Sequence, residues 1–416
     1  MPKLKRSLNL FDVVSLAIGA IIGAGVFVLT GLASQVAGPA LLVSILLGCI
    51  AASLTAISIS KLVLAFPKEG GEYEYGCKTL SKFAGFISGW MWTLNKLVAA
   101  GVISLGFATY FALLIPSSSL KLTALIIIGL VTIINYCGIR KAGTLIDILV
   151  ISKLAILFLF IILGLPYVKP SNFLPFAPNG IKGILEAAGI FFFAYVGFAR
   201  PVYLVEEIKN PKKNVPRGIF FGLLISTIIY ATVSFVAIGL VGTNVLGSSN
   251  SPLEKAISIT GFSWAPILIT IGALIATFSV LLDDNLGLSR MIFSMGRKGD
   301  YPKYFGQVNK NNVPGKAIIL TGIIGVLVIL FFDLRSLAET ASFFILLYFS
   351  LVNLSSIKLK KKTRTAAIVS ASGMVITLIL AFSLSVKSII IGTALIIIGA
   401  AYFALISSRN PEKSRN

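Results

Sequence analysis

Gly19-Ala20-Ile21-Ile22-Gly23-Ala24-Gly25-Val26-Phe27 lies in the middle of the first apolar run, Phe11 to about Ala33. After Asp12 that run carries no charge, and it meets the roughly 20 residues a helix needs to cross a bilayer. Three glycines at its centre weaken the coil there. In lipid, backbone N–H and C=O groups freed by a break find no water, so an interrupted helix survives only where it lines a cavity or is buried in protein. The stretch reads in one of two ways. Either residues 23–27 form the hinge of a discontinuous helix lining a site near the membrane midplane, or the glycines let a continuous helix pack closely on a neighbour.

The remainder of the chain is equally apolar: 56% of its 416 residues are hydrophobic and only 12% charged, against about 25% charged in soluble domains. Mean hydropathy is +0.96. An all-α, polytopic membrane protein follows, with the lipid bilayer as its surroundings. The net charge of +21 would suggest nucleic acid as partner of a soluble chain, but here it sits in loops, and no nucleic acid is expected. Histidine is absent, which excludes a His-ligated metal and a His proton relay. Cys49, Cys77 and Cys137 are far apart without metal-ligand spacing. No metal and no cofactor is expected, and any proton coupling has to use carboxylate, lysine or water. No cleavable leader is expected either, because the run that Lys3, Lys5 and Arg6 precede is too long for one.

Apolar runs bounded by charge or by Pro/Gly clusters number twelve, at about 11–33, 39–66, 82–115, 122–138, 144–166, 184–205, 216–242, 262–293, 316–332, 337–357, 366–386 and 388–407. Loop charge tests the count, since Lys and Arg gather on the cytoplasmic side. Of the 36 Lys and Arg residues, 25 fall in the N-terminus, loops 67–82, 139–143, 206–217, 294–316 and 358–365, and the tail 408–416. That alternation predicts twelve spans with both termini cytoplasmic, and the plasma membrane is the expected location.

The sixth run contains Ile190-Phe191-Phe192-Phe193-Ala194-Tyr195-Val196-Gly197-Phe198-Ala199-Arg200-Pro201. Gly197 and Pro201 interrupt it at its centre, the proline by removing a backbone donor. Breaks in spans 1 and 6, five spans apart, are what two inverted five-helix repeats produce. Residues 1–166 are then the first repeat, 167–357 the second, and 358–416 two added helices with the tail.

At this point the chain resembles the amino acid, polyamine and organocation transporters. Ile22-Gly23-Ala24-Gly25-Val26-Phe27 is similar to their glycine-rich first-helix motif, and Pro67-Lys68-Glu69-Gly70-Gly71-Glu72-Tyr73 to their loop between helices two and three. Phe193-Ala194-Tyr195-Val196-Gly197-Phe198 with Glu206-Glu207-Ile208-Lys209-Asn210-Pro211 resembles their sixth helix and the loop after it. Ser289-Arg290 with Met295-Gly296-Arg297-Lys298-Gly299-Asp300-Tyr301-Pro302 resembles the end of their eighth. Beyond Pro302 only hydropathy agrees.

A broken helix offers free N–H groups and a positive dipole at one half, and free C=O groups at the other. The resemblance implies that backbone N–H of Ala24 and Gly25, next to Gly23, holds a substrate carboxylate, and that carbonyls of Ile21, Phe193 and Val196, beside Gly197, hold its ammonium. It also implies that Phe193 is an aromatic lid; read alone, Phe193 is equally one more lipid-facing ring beside Phe191 and Phe192. Lys153, near the centre of span 5, is the most informative charge, since an ionised lysine there costs about 2.5–3.5 kcal/mol and burial favours the neutral amine. The resemblance implies a lysine in the place of a bound sodium ion, against Gly19 of span 1 and Ser279 of span 8, exchanging a proton during transport. The alternative is a permanently charged lysine paired with a carboxylate.

Asp283 and Asp284 in span 8, Lys96 in span 3 and Arg200 in span 6 are further intramembrane charges, which should pair. Lys96 with Asp283 or Asp284 is the simplest pairing. For Arg200 the substrate side chain, the substrate carboxylate and Glu206 remain open. The function expected is a secondary active transporter of amino acids working by alternating access as a proton symporter, with an ion-independent exchanger as the alternative. An amino acid, as a small-molecule substrate, and the proton are the expected partners. A channel lacks its continuous polar stripe, and an enzyme lacks a dyad, because adjacent helical residues such as Asp283 and Asp284 diverge by about 100°.

Overall fold

A computed structural model describes residues 6–66, 71–138, 143–205, 207–310, 313–359 and 363–409. Their regular structure is helical: α1 (Leu10–Ile21), α2 (Ala24–Ala37), α3 (Leu41–Ala65), α4 (Gly71–Thr79), α5 (Lys82–Leu114), α6 (Leu120–Cys137), α7 (Gly143–Gly164), α8 (Gly180–Phe192), α9 (Pro211–Ser248), α10 (Pro252–Ile257), α11 (Ala265–Lys298), α12 (Gly315–Phe331), α13 (Leu334–Ile357), α14 (Arg364–Phe382) and α15 (Val386–Arg409). Among the described residues ten helical stretches are long and apolar enough to cross a membrane, with Leu10–Ile21 and Gly315–Phe331 shorter. One of the ten, Ala24–Ala65, reverses at Gly38, where φ is +65°. A side chain at Gly38 would also run into Pro178. Twelve passes result, with α1 and α2 as span 1, α4 and α10 as short connecting helices, and α8 continued by 3-10 turns as span 6.

Span 7 begins earlier and ends later than its apolar core suggests. The basic segment from Pro211 already coils: Pro211 takes the first helical position, where an N–H lacks a partner anyway, while Pro216 lies inside the helix and leaves the Lys212 carbonyl without its helical donor. Gly242 kinks it near the far end, with φ 76°.

Helix association in lipid depends on close packing and interhelical hydrogen bonds, because there is no water to expel. Gly218 and Gly222 of α9 provide one seam, set against Val13 and Ala17 of α1. A polar seam joins α3, α13 and α14: Ser58 Oγ donates to Ser370 Oγ at 2.9 Å and Asn353 Nδ2 to Thr55 Oγ1 at 3.0 Å. Where the chain enters α1 and leaves span 6, backbone pairs with backbone. Leu8 N donates to the Glu207 carbonyl at 3.0 Å and Lys209 N to the Leu8 carbonyl at 2.8 Å, an isolated parallel β-bridge. The motif residues 67–70 and Glu206 lie outside the described residues.

Candidate functional site

Span 1 is broken where its glycines predict. The α1 coil ends at Ile21; Ile22 is extended (φ −76°, ψ 92°), and Gly23 (φ −129°, ψ −143°) precedes α2. The first amides of a helix have no partner inside it, so those of Ala24 and Gly25, with the positive end of the α2 dipole, face the gap. Close packing has a share as well. A Cβ on Gly23 would lie 2.6 Å from Val280 Cγ2 of α11, and one on Gly19 would lie 2.7 Å from Val150 Cγ2 of α7.

Span 6 breaks in a different form. Its α-helix stops at Phe192 and the chain runs on in 3-10 turns through Leu204, with Pro201 inside. A 3-10 run of twelve residues is unusual, and mid-helix stretches of this kind often mark hinges. The two breaks are packed on each other. A Cβ on Gly25 would come within 2.8 Å of Ala194 Cα, and one on Gly197 would overlap the Ala20 carbonyl. Phe191 and Phe192 are fully buried, so neither faces lipid, and Phe193 is half-buried against the same core, as is Val196.

Tyr230 of α9 joins the two breaks from the side. Its hydroxyl lies 2.6 Å from the Ile21 carbonyl and 3.0 Å from that of Ala194, one proton serving both. Sequence reasoning missed this residue. The available signal was a phenol deep inside an apolar span, since a buried tyrosine hydroxyl needs a partner.

Lys153 is 2% exposed, and its ammonium donates to the Gly19 carbonyl at 2.6 Å. Ser279 Oγ donates within its own helix, to the Ala276 carbonyl at 3.0 Å. Of the remaining intramembrane charges, Lys96 pairs with Asp284 at 2.6 Å and also lies over the Trp92 ring. Arg200 pairs with Asp283, a partner absent from the three that its sequence position suggested. Both members of this second pair are 36% exposed, although they sit within spans 6 and 8.

A second unanticipated cluster ties four elements at the other end of span 1. Arg335, in the first turn of α13, donates to Glu339 at 2.9 Å, to Glu186 of α8 at 3.4 Å and to Gln35 of α2 at 3.4 Å. Glu339 is 2% exposed and also accepts from Ser385 and, at 3.1 Å, from Ser388. Among the described residues no group of three or more His, Cys, Asp or Glu side chains is placed to hold a metal ion.

The family model for amino acid permeases matches residues 8–414, so the likeness extends well past Pro302, where motif reading stopped. The chain is 33% identical over 380 residues to a branched-chain amino acid permease of Bacillus subtilis, covering 86% of this chain and 82% of that one. It is 34% identical over 379 residues, with the same coverage, to a methylthioribose transporter of Bacillus subtilis. It is 30% identical to a vacuolar cationic amino acid transporter of Arabidopsis thaliana, over 84% of this chain and 62% of that one.

Proposed function

The chain belongs to the amino acid permease family, and on that premise we propose that it imports amino acids by alternating access together with protons, Lys153 being the coupling group. Membership makes it an amino-acid transporter, not an enzyme. The observation that carries the coupling is the bond from buried Lys153 to the Gly19 carbonyl, one turn from the break in span 1. A cation there binds span 5 to span 1, and loss of its proton releases the bond, so a proton controls the broken helix.

The substrate carboxylate meets the amides of Ala24 and Gly25, and its ammonium meets the carbonyls of Ile21, Phe193 and Val196, with Gly23 and Gly197 giving backbone access. Ser279 completes the surroundings of Lys153. Residues 1–166 and 167–357 act as two opposed five-helix repeats, and 358–416 stand outside them. The protein sits in the plasma membrane, and its loop charge supports a cytoplasmic side for both termini.

Purified protein in liposomes, given radiolabelled L-amino acids one at a time under an inward proton gradient, tests this. Gradient-driven accumulation of at least one is expected, and K153A should abolish it. Failure to transport any amino acid would overturn the reading. A carboxylate, Asp283, on α11, the helix packed against α7, favours a second reading, a permanently charged lysine in an exchanger. Uptake that needs preloaded substrate and ignores the gradient would select it.

A further inference from the structure

Three cations and two acids share the middle of spans 3, 5, 6 and 8: Lys96, Lys153, Arg200, Asp283 and Asp284. Lys96 and Asp284 neutralise each other at 2.6 Å, largely shielded, against the Trp92 face. This leaves one acid, Asp283, for two cations on different spans. Arg200 is bound to it directly, and Lys153 stands on α7, which packs against the same α11. The positions agree. Val280, one turn before Asp283, touches Gly23, and Gly19, one turn before Gly23, accepts from Lys153. Of the other elements against α11, α2 carries no charge, α6 and α12 carry it only in their first turns, at Lys121 and Lys316, α10 carries Glu254 and Lys255 before α11 begins, and the turn Lys303–Gly306 carries Lys303 after it ends.

The charge balance of this set depends on one proton. Arginine stays protonated throughout. With Lys153 neutral, Arg200 and Asp283 form a balanced pair linking span 6 to span 8. With Lys153 charged, two cations compete for one carboxylate, and Lys153, buried to 2% exposure, has little water to balance its own charge.

We propose that Asp283 is a shared counter-ion, held by Arg200 when Lys153 is neutral and drawn toward Lys153 when it is charged, so that one proton exchanges a span 6–8 tie for a span 1–5 tie. The inference rests on the proton-coupling reading and adds its relay. Asp283 and Arg200 are positioning residues: they do not touch the substrate backbone groups but set where span 6 stands.

Two measurements test it. In liposomes with a radiolabelled L-amino-acid mixture, the ratio of uptake at pH 6 to that at pH 8 is read for wild type, D283N and the swap R200D/D283R. D283N is expected to bring the ratio close to one and to lower uptake about tenfold, the scale of a lost charged hydrogen bond. The swap restores a span 6–8 pair and should recover uptake but not the pH ratio, because Lys153 then faces an arginine. Recovery of both, or a wild-type pH ratio in D283N, would overturn the proposal and leave only a structural ion pair.

The second measurement needs no substrate. In a background with Cys49, Cys77 and Cys137 replaced, a cysteine at half-buried Leu204, at the end of span 6, is labelled with a water-soluble maleimide. Rates with Asp283 and with D283N are compared at each pH. The rate with Asp283 should exceed that of D283N at one pH by about tenfold more than at the other. Equal ratios at both would overturn the proposal. Absence of any amino-acid uptake by wild type would instead count against the transport reading, with the labelling still deciding the role of Asp283.

Discussion

Gly197 of span 6 rests directly on the carbonyl of Ala20 in span 1, with no room between them for a methyl group. The contact is backbone against backbone, so a side chain there cannot be absorbed by a rotamer change. G197A should lower the melting temperature, on the scale of about 1–3 kcal/mol for overpacking, and abolish transport. Differential scanning fluorimetry and liposome uptake check both. A variant with wild-type stability and uptake would show that the two breaks do not need this approach.

Tyr230 should matter through its oxygen alone. Y230F keeps the ring and its edge contacts with Phe191 and Tyr195, but leaves the Ile21 and Ala194 carbonyls without that donor. A stability loss of about 0.5–1.5 kcal/mol is expected, read as a lower melting temperature. Added amino-acid substrate should recover more of that loss in Y230F than it adds to wild type, because the substrate ammonium reaches one of the two carbonyls, that of Ile21.

The Arg335 cluster predicts a strict order of damage. Glu339 is buried and serves Arg335, Ser385 and Ser388 together, so E339A leaves several groups unpaired and should cost about 3–5 kcal/mol, the range for breaking a buried pair. E186A removes only the longer contact, to an arginine whose side chain is 42% exposed, and should cost about 0–1 kcal/mol. Melting temperatures of the two variants decide this, and the reverse order would contradict the geometry.

Asp333 caps α13 from outside the membrane. Partial desolvation pushes its carboxyl up, but hydrogen bonds from the Ser336 hydroxyl (2.7 Å) and amide (3.0 Å) outweigh it and hold the carboxyl below its ordinary value. A depressed folded-state value means that the cap stabilises above the ordinary carboxylate range and is lost as pH falls through the depressed value. D333A should cost about 0.5–1 kcal/mol at neutral pH, the low end of capping effects because the group is exposed. The difference in melting temperature from wild type should shrink below about pH 4.

Position along the chain was legible in the sequence, and rotation about each helix axis was not. Glycines at 19, 23 and 25 and the Gly197–Pro201 pair marked both breaks, because backbone freedom is written in residue type. Lys96, Arg200, Asp283 and Asp284 stood out through the cost of charge in lipid. Which acid met which base depended on the direction each helix faced, and hydropathy does not record this. Lys96 found one of its two expected acids, whereas Arg200 reached across to span 8 for Asp283. The 3-10 form of span 6 left no mark in composition. Arg335 and Glu186 read as ordinary ends of spans, since their joint role appears only when α2, α8 and α13 converge.

The short β-bridge between Leu8 and Ile208 yokes the two interrupted spans at their shared end. Neither can swing there without dragging the other, so whatever motion admits or discharges cargo on that side should proceed as a single stroke of a paired lever.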